Sequence, residues 1–194
     1  MKLFGVTGGI GMGKSTAAQW LTQAGVPVVD TDQLARDLVE PGEAALAEIA
    51  GAFGVELVGP DGRLRRDLLA ERVFANPEAL KKLESILHPR IRARWQAQAA
   101  RWRAEARALG VVVIPLLFET AADDRFDATV CVACTAATQA KRLAERGWNP
   151  SQIAKRMKAQ MSIEEKMTRS NYVIWTEGRI DVLGPQLSWA LGLT

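Results

Sequence analysis

The sequence predicts an α/β protein built on a doubly wound, five-stranded parallel sheet. Three observations predict it. Apolar runs alternate with helical patterns at both ends of the chain. Two of these runs, "GVVVIPLLFE" and "DATVCVACT", are apolar almost throughout, as strands covered on both faces are. The first run leads straight into a glycine-rich turn and then a helix, the opening unit of such a sheet.

Each element follows from its residues. "KLFGVTG" reads as a buried strand, and "KSTAAQWLTQAG" as a helix with Gly25 as its stop. "VPVVD" is a second, short strand. From Thr31 to about Gly110 no strand pattern occurs, and turn signals at "PGE" and "GPDGR" separate apolar-periodic segments. "NPEALKKLESILHPRI" is helical from an Asn76 cap, with Pro77 at its first position. Beyond it, Ile91, Trp95 and Trp102 fall near one helical face among arginines. They read as core anchors, with base-stacking platforms as the alternative.

After the two long apolar strands, "TAATQAKRLAERG" is a helix closed by Gly147. Asn149, Pro150 and Gln152 form a variant capping box, and Ser162 with Glu165 repeats the device. "NYVIWT" is the fifth strand, followed by a terminal helix entered at Pro185. The order is thus β-α-β, a long helical excursion, then β-α-β around a basic helical hairpin. Right-handed crossovers bring the C-terminal strand ends to one edge, where ligands bind. One domain, 1–194, is expected, with a core at about 1–31, 110–137 and 170–194. A helical lobe would occupy about 32–109 and a basic segment about 138–169.

Composition narrows the class. A chain of 194 residues buries roughly 70% of its unfolded surface and needs no staples. The start, "MKLFGVTGGI", has no long apolar h-region, and "VVVIPLLF" is far short of a membrane span. A soluble, cytoplasmic protein is expected. Between Thr138 and Arg169, eight Lys/Arg stand against three Glu, a local charge of +5 in a chain of +3. That pattern suggests a local anionic ligand rather than a nucleic-acid-coating surface, with a solvated helix face as the other reading. Cys131 and Cys134 have C-x-x-C spacing, but their β-branched, apolar setting reads as two buried strand cysteines pointing to opposite faces.

The sharpest motif is "GGIGMGKST", where Gly8, Gly13, Lys14 and Ser15 complete G-x-x-x-x-G-K-[ST] between a strand and a helix. Gly8, Gly11 and Gly13 let backbone N–H groups close on phosphate oxygens, and the helix adds its positive end. Lys14 would bridge β- and γ-phosphates, the Ser15 hydroxyl would ligate Mg²⁺, and Thr16 would lie near the α-phosphate. No N-K-x-D guanine-reading sequence occurs, and the third strand lacks an Asp directly after its apolar run. A carboxylate from elsewhere must then help with metal or nucleophile. Asp30 and Asp32 end the second strand on the loop's edge of the sheet. If the chain stays extended there, their i, i+2 spacing turns both to one side. A strand end and a helix cap is the other reading.

With these residues assembled, the chain resembles the dephospho-coenzyme A kinase family along nearly its whole length. The resemblance is carried by "GVTGGIGMGKST", "VVDTDQLARDLVEPG", "DGRLRR", "VFANPE", "LHPRI", "IPLLFE", "KRLAERG", "RMKAQM" and "YVI". It implies a phosphate-loop kinase core with a helical acceptor-binding lobe and a helical lid. The implied reaction is ATP-dependent phosphorylation of the ribose 3′-hydroxyl of dephospho-coenzyme A, giving coenzyme A and ADP. The implied ATP-binding residues are Gly8, Gly9, Ile10, Gly11, Met12, Gly13, Lys14, Ser15 and Thr16, with Arg142 and Arg146 from the lid. Asp32, Lys14 and Arg142 carry the chemistry, Asp32 meeting the acceptor hydroxyl. Ser15, and Asp32 through water, serve Mg²⁺; Asp32, Arg66, His88, Pro89, Ile91 and Leu117 form the acceptor side.

His88 keeps a second reading, as a residue that caps or packs. The expected partners are ATP and dephospho-coenzyme A, with no nucleic acid or membrane, in a monomer or weak homo-oligomer. Two alternatives stay open: a different alcohol or nucleotide acceptor on the same machinery, and a nucleotide-switched nucleic-acid-binding module. The chain departs from the family pattern around its fifth strand. Ser170-Asn171 stands where relatives often carry Ala-Asp, and "WTEG" where they often carry an Asn-x-Gly turn.

Overall fold

The computed structural model describes residues 1–194 except 75, 150–152, 155, 156, 159, 179 and 194, and at 74 and 180 only the backbone. The expected capping residues Pro150 and Gln152 and the basic residues Lys155 and Arg156 lie outside the described residues. The strands are β1 (Lys2–Gly8), β2 (Val28–Asp30), β3 (Leu109–Val113), β4 (Ala128–Ala133) and β5 (Tyr172–Trp175). They form one parallel sheet in the order β2-β3-β1-β4-β5. The neighbours of β1 are therefore β3 and β4. The strand order reverses there, and the crevice beyond its C-terminal end is the ligand position of such sheets.

The helices are α1 (Lys14–Gln23), α2 (Thr31–Asp37), α3 (Ala44–Phe53), α4 (Arg66–Phe74), α5 (Pro77–Ala104), α6 (Ala136–Glu145), α7 (Ile163–Arg169) and α8 (Leu183–Leu191). Their ends have local causes. Asn76 Oδ1 accepts from the Glu78 and Ala79 N–H groups at the start of α5. Thr135 and Ser162 cap α6 and α7 through Thr138 N and Glu165 N. Gly147 and Trp148 donate to the Ala144 and Leu143 carbonyls, a Schellman closure of α6. The terminal helix begins at Leu183, two residues before Pro185, which takes its third position, where a missing N–H costs nothing.

Strands buried on both faces explain the unbroken apolar runs. Phe4, Val6, Val111, Val113, Val130, Val132 and Ile174 share one face and pack on Ala17 and Leu21 of α1 and on Leu183, Leu187, Ala190 and Leu191 of α8. Burial of each large side chain contributes about 1.5–3 kcal/mol. At the end of β4, Ala133 and Cys134 pack with Met12, Ile163 and Met167, so α7 covers that corner. The expectation that Cys131 and Cys134 point to opposite faces presumed a strand through both. The strand ends at Ala133, and both thiols are buried and free.

The chain divides into two compact units, 1–30 with 99–194, and 31–98. The second has its own core of Leu38, Val39, Ala45, Ile49, Leu57, Leu69, Val73 and Ile86. Its end falls inside α5 rather than at 109, because the last turn of α5 belongs to the sheet. Trp102 is buried there, and a Cβ at Gly110 would collide with its indole. Helix α5 runs through Pro89, whose ring removes one backbone hydrogen bond. One turn back, the Arg90 guanidinium donates to the Ile86 carbonyl at 2.7 Å. Trp95 and Trp102 are both buried, as core anchors are.

Candidate active site

The loop between β1 and α1 has its carbonyl oxygens tied from outside. Lys14 Nζ donates to Gly8 O at 2.8 Å and Gly9 O at 2.9 Å. Gln139 Nε2 holds Ile10 O at 2.7 Å, Thr176 Oγ1 holds Met12 O at 2.9 Å, and Ala17 N holds Gly13 O at 2.9 Å. These bonds turn five of the loop's carbonyl oxygens to partners within the protein. Gly13 is the N-cap of α1, so Lys14, Ser15 and Thr16 occupy the first turn, whose N–H groups have no intrahelical partner. Such an array with the helix dipole behind it is an anion site. Two glycines are dictated by space. At Gly8, with φ 144°, a Cβ would run into the Val132 carbonyl; at Gly13, with φ 100°, it would meet the Thr176 methyl at 3.1 Å.

Beside the loop lies a cavity of about 360 Å³ lined by Gly11, Gly13, Thr16, Arg142, Glu145, Arg146, Trp175, Thr176, Gly178 and Leu183. Five residues chosen from the sequence, Gly11, Gly13, Thr16, Arg142 and Arg146, thus share one cavity. Arg142 of α6 and Arg146, the C-cap of that helix, lie one turn apart. Arg142 Nη1 donates to Thr176 Oγ1 at 2.9 Å, and Nη2 donates to Thr176 O at 2.6 Å. Next to it, Glu177 accepts from Thr135 N at 2.5 Å and Thr138 Oγ1 at 2.8 Å. The hydrogen bonds from Thr135 and Thr138, with the Arg142 charge behind them, hold its carboxyl below the usual range.

The acceptor-side residues other than Leu117 fall in the helical unit. The structure changes the picture of the aspartate pair. Asp30 is the last residue of β2 and Thr31 the first of α2, so Asp32 sits in a helical first turn. The two carboxylates are not an extended i, i+2 pair, and Asp32 is not a helix cap. One turn further, the Arg36 carbonyl accepts from Arg66 Nη2 at 3.4 Å. Arg66 and Arg63 both pair with Glu40, at 3.4 and 3.2 Å. His88 and Ile91 are half-buried on α5, Pro89 is exposed, and Ile91 packs on the helical core. Leu117, in the sheet unit after β3, is wholly buried.

The basic stretch is less of a surface than its charge suggests. Lys166 is fully buried, with Nζ 2.8 Å from Glu119 Oε1 and donating to Pro115 O at 2.6 Å. Glu119 also accepts from Met161 N at 2.9 Å, and Thr7 Oγ1 shares the Pro115 carbonyl at 3.1 Å. One of the eight counted cations is therefore structural. Burial pushes the Cys131 thiol up to about 11, partly offset by the charges of Lys166 and Lys14, and raises Cys134 as well. Among the described residues no group of three or more His, Cys, Asp or Glu could hold a metal.

Gln139, Thr176, Glu177 and the Lys166–Glu119 pair escaped the sequence reading. Only Gln139 left a trace: it precedes Leu143 by four residues and so shares its buried face.

Comparison with known proteins bears on this arrangement. The model of the dephospho-CoA kinase family matches residues 2–181. The chain belongs to the dephospho-CoA kinase family. A dephospho-CoA kinase of Bdellovibrio bacteriovorus is 40% identical over 174 residues, 90% of this chain and 87% of that one. The crystal structure of TT1252 from Thermus thermophilus superposes with a TM-score of 0.85 at 36% identity, covering 100% of this chain and 98% of the other. Dephospho-CoA kinase from Campylobacter jejuni gives a TM-score of 0.72 at 25% identity, covering 98% and 95%. As a member of the dephospho-CoA kinase family the protein is a kinase. No helix among the described residues is long and apolar enough to cross a membrane.

Proposed function

We propose that the protein transfers the γ-phosphoryl group of ATP to the ribose 3′-hydroxyl of dephospho-coenzyme A, giving coenzyme A and ADP. The observation that carries the choice of acceptor is the family match over residues 2–181. The loop geometry supports the donor: N–H groups at the start of α1, their carbonyl neighbours tied back, and two arginines beside them.

In this reading Gly8, Gly9, Ile10, Gly11, Met12, Gly13, Lys14, Ser15 and Thr16 cradle the phosphates, Lys14 at the β- and γ-groups. Arg142 and Arg146 neutralise charge that spreads over the transferred group, the main need of a loose transition state. Asp32 orients the 3′-hydroxyl. As the new O–P bond forms and the bond to the β,γ-bridging oxygen breaks, it takes the hydroxyl proton late. In a loose transition state the hydroxyl keeps its proton until late, so orientation is the larger contribution of Asp32. Arg66, His88, Pro89, Ile91 and Leu117 are assigned to the acceptor side. The donor set fits Mg²⁺, which arrives with the triphosphate and takes one or two protein oxygens: the exposed Ser15 hydroxyl at the start of α1, and Asp32 through water. When bound, Mg²⁺ would offset the negative charge of the phosphate oxygens. On the same reading the protein works in the cytoplasm as a monomer or weak homo-oligomer, with no nucleic-acid or membrane partner.

Incubation with ATP, Mg²⁺ and dephospho-coenzyme A, followed by mass measurement, should show coenzyme A. ADP release across a panel of acceptors checks the choice: turnover only with a nucleoside monophosphate or a shikimate-like alcohol would overturn it. Lys14→Ala should weaken ATP handling, and unchanged nucleotide affinity and turnover together would remove the loop from the mechanism.

A further inference from the structure

We propose that Thr176 is a positioning residue for the phosphoryl donor, fixing the Arg142 guanidinium against the phosphate loop. The inference rests on the reading of this cavity as the ATP site. Thr176 opens the "TEG" turn directly after β5. Each part of the residue is engaged. Its N–H donates to Ala133 O at 2.8 Å, extending the β4–β5 pairing by one step. Its carbonyl and hydroxyl oxygens both accept from Arg142, at 2.6 and 2.9 Å. The hydroxyl proton goes to Met12 O at 2.9 Å, with Ala133 O further off at 3.2 Å. Its methyl faces the space a side chain at Gly13 would need.

A hydroxyl has one proton to give and lone pairs to receive. Giving the proton to the loop and receiving from the arginine, Thr176 Oγ1 couples two parts of the site. The Met12 carbonyl is held back, so the loop presents N–H groups. The Arg142 fork is held by two bonds on one residue, which fixes its plane at the edge of the cavity it shares with Arg146. A long side chain without that anchor would sample many rotamers and lose that freedom on binding nucleotide.

Titration calorimetry with ATP and Mg²⁺ tests this whichever alcohol is the acceptor, so its outcome is separable from the coenzyme A assay. Thr176→Val keeps the shape and removes the hydroxyl. It should weaken ATP by about 10-fold, the low end for a hydrogen bond to a charged group. Thr176→Ser should stay within about 3-fold of the native protein, since a hydroxyl suffices for both bonds. In an Arg142→Ala background, Thr176→Val should cost less than it does in the native protein, because coupled residues are not additive and only the bond to Met12 O is then left to lose. Thr176→Ala serves in the same cycle should the valine variant not fold. Equal loss from valine and serine, or the same loss with and without Arg142, would reduce Thr176 to packing and overturn the proposal.

Discussion

The Lys166–Glu119 pair makes an unequal prediction from its two ends. Lys166 is 0% exposed and Glu119 20%, so the lysine depends on the carboxylate more than the reverse. Glu119→Gln leaves the ammonium buried without a counter-charge, facing the Pro115 carbonyl and a neutral amide. Breaking a buried pair in this way costs 3–5 kcal/mol, and the partial solvation of Glu119 puts the expected loss at about 3 kcal/mol. Lys166→Met removes the buried charge itself. Pro115 O keeps its bond from Thr7, and Glu119 keeps Met161 N and its contact with solvent. Exchange of a buried ion for an apolar chain is often near neutral, so about 1 kcal/mol is expected. At about 2–4 °C per kcal/mol for a chain of this size, Glu119→Gln should melt about 6–12 °C lower and Lys166→Met about 2–4 °C lower. Urea unfolding followed by tryptophan fluorescence measures both, provided the slope is unchanged. The double variant should resemble Lys166→Met. A methionine variant as unstable as the glutamine variant, or more so, would show that packing of the lysine stem outweighs its charge and refute the reasoning.

Asp32→Asn should lower kcat by roughly 10²–10⁴-fold with an unchanged melting temperature; a near-native rate would remove Asp32 from the chemistry. With both thiols raised by burial, native protein should resist alkylation at neutral pH and react at Cys131 and Cys134 only when unfolded, so rapid native labelling would contradict the structure. Glu177 is held below its ordinary value of 4.5, so its stabilising effect is complete above that value and fades as pH falls through the lower, folded one. Glu177→Gln should therefore flatten the part of the melting profile below pH 4.5, and an unaltered acid limb would mean that the contact to Thr135 and Thr138 is idle.

Much of the fold was legible because its signals are local. Strands covered on both faces must be apolar at every position, and Asn76, Ser162, Gly25 and Gly147 have the chemistry of helix ends. What misled is also local. An i, i+2 pair shares a side only while the chain is extended, and the change to helix falls between Asp30 and Thr31, inside the pair. The strand expected to run through both cysteines likewise stops at Ala133, one residue short of Cys134, although both are buried as expected. Lys166 was illegible in another way. A lysine in a basic stretch looks solvated, and its anion lies forty-seven positions away at Glu119, behind no sequence signal.

The site divides along the same line. A phosphate loop advertises its inner surface, because glycines, lysine and hydroxyl must follow one another for N–H groups to converge. Its outer surface is under no such rule: any donor that reaches a carbonyl from behind will serve. Here Ile10 O is reached from α6 by Gln139, and Met12 O from beyond β5 by Thr176. The departures around the fifth strand then have a common explanation. Asn171 Oδ1 accepts from Thr129 N and Oγ1 at 2.8 and 3.1 Å, which an aspartate oxygen in that place could also do. Thr176 likewise supplies one donor to the loop and acceptors to Arg142. What the fold requires at these positions is an oxygen or a proton at a given point in space, and more than one residue type can place it there.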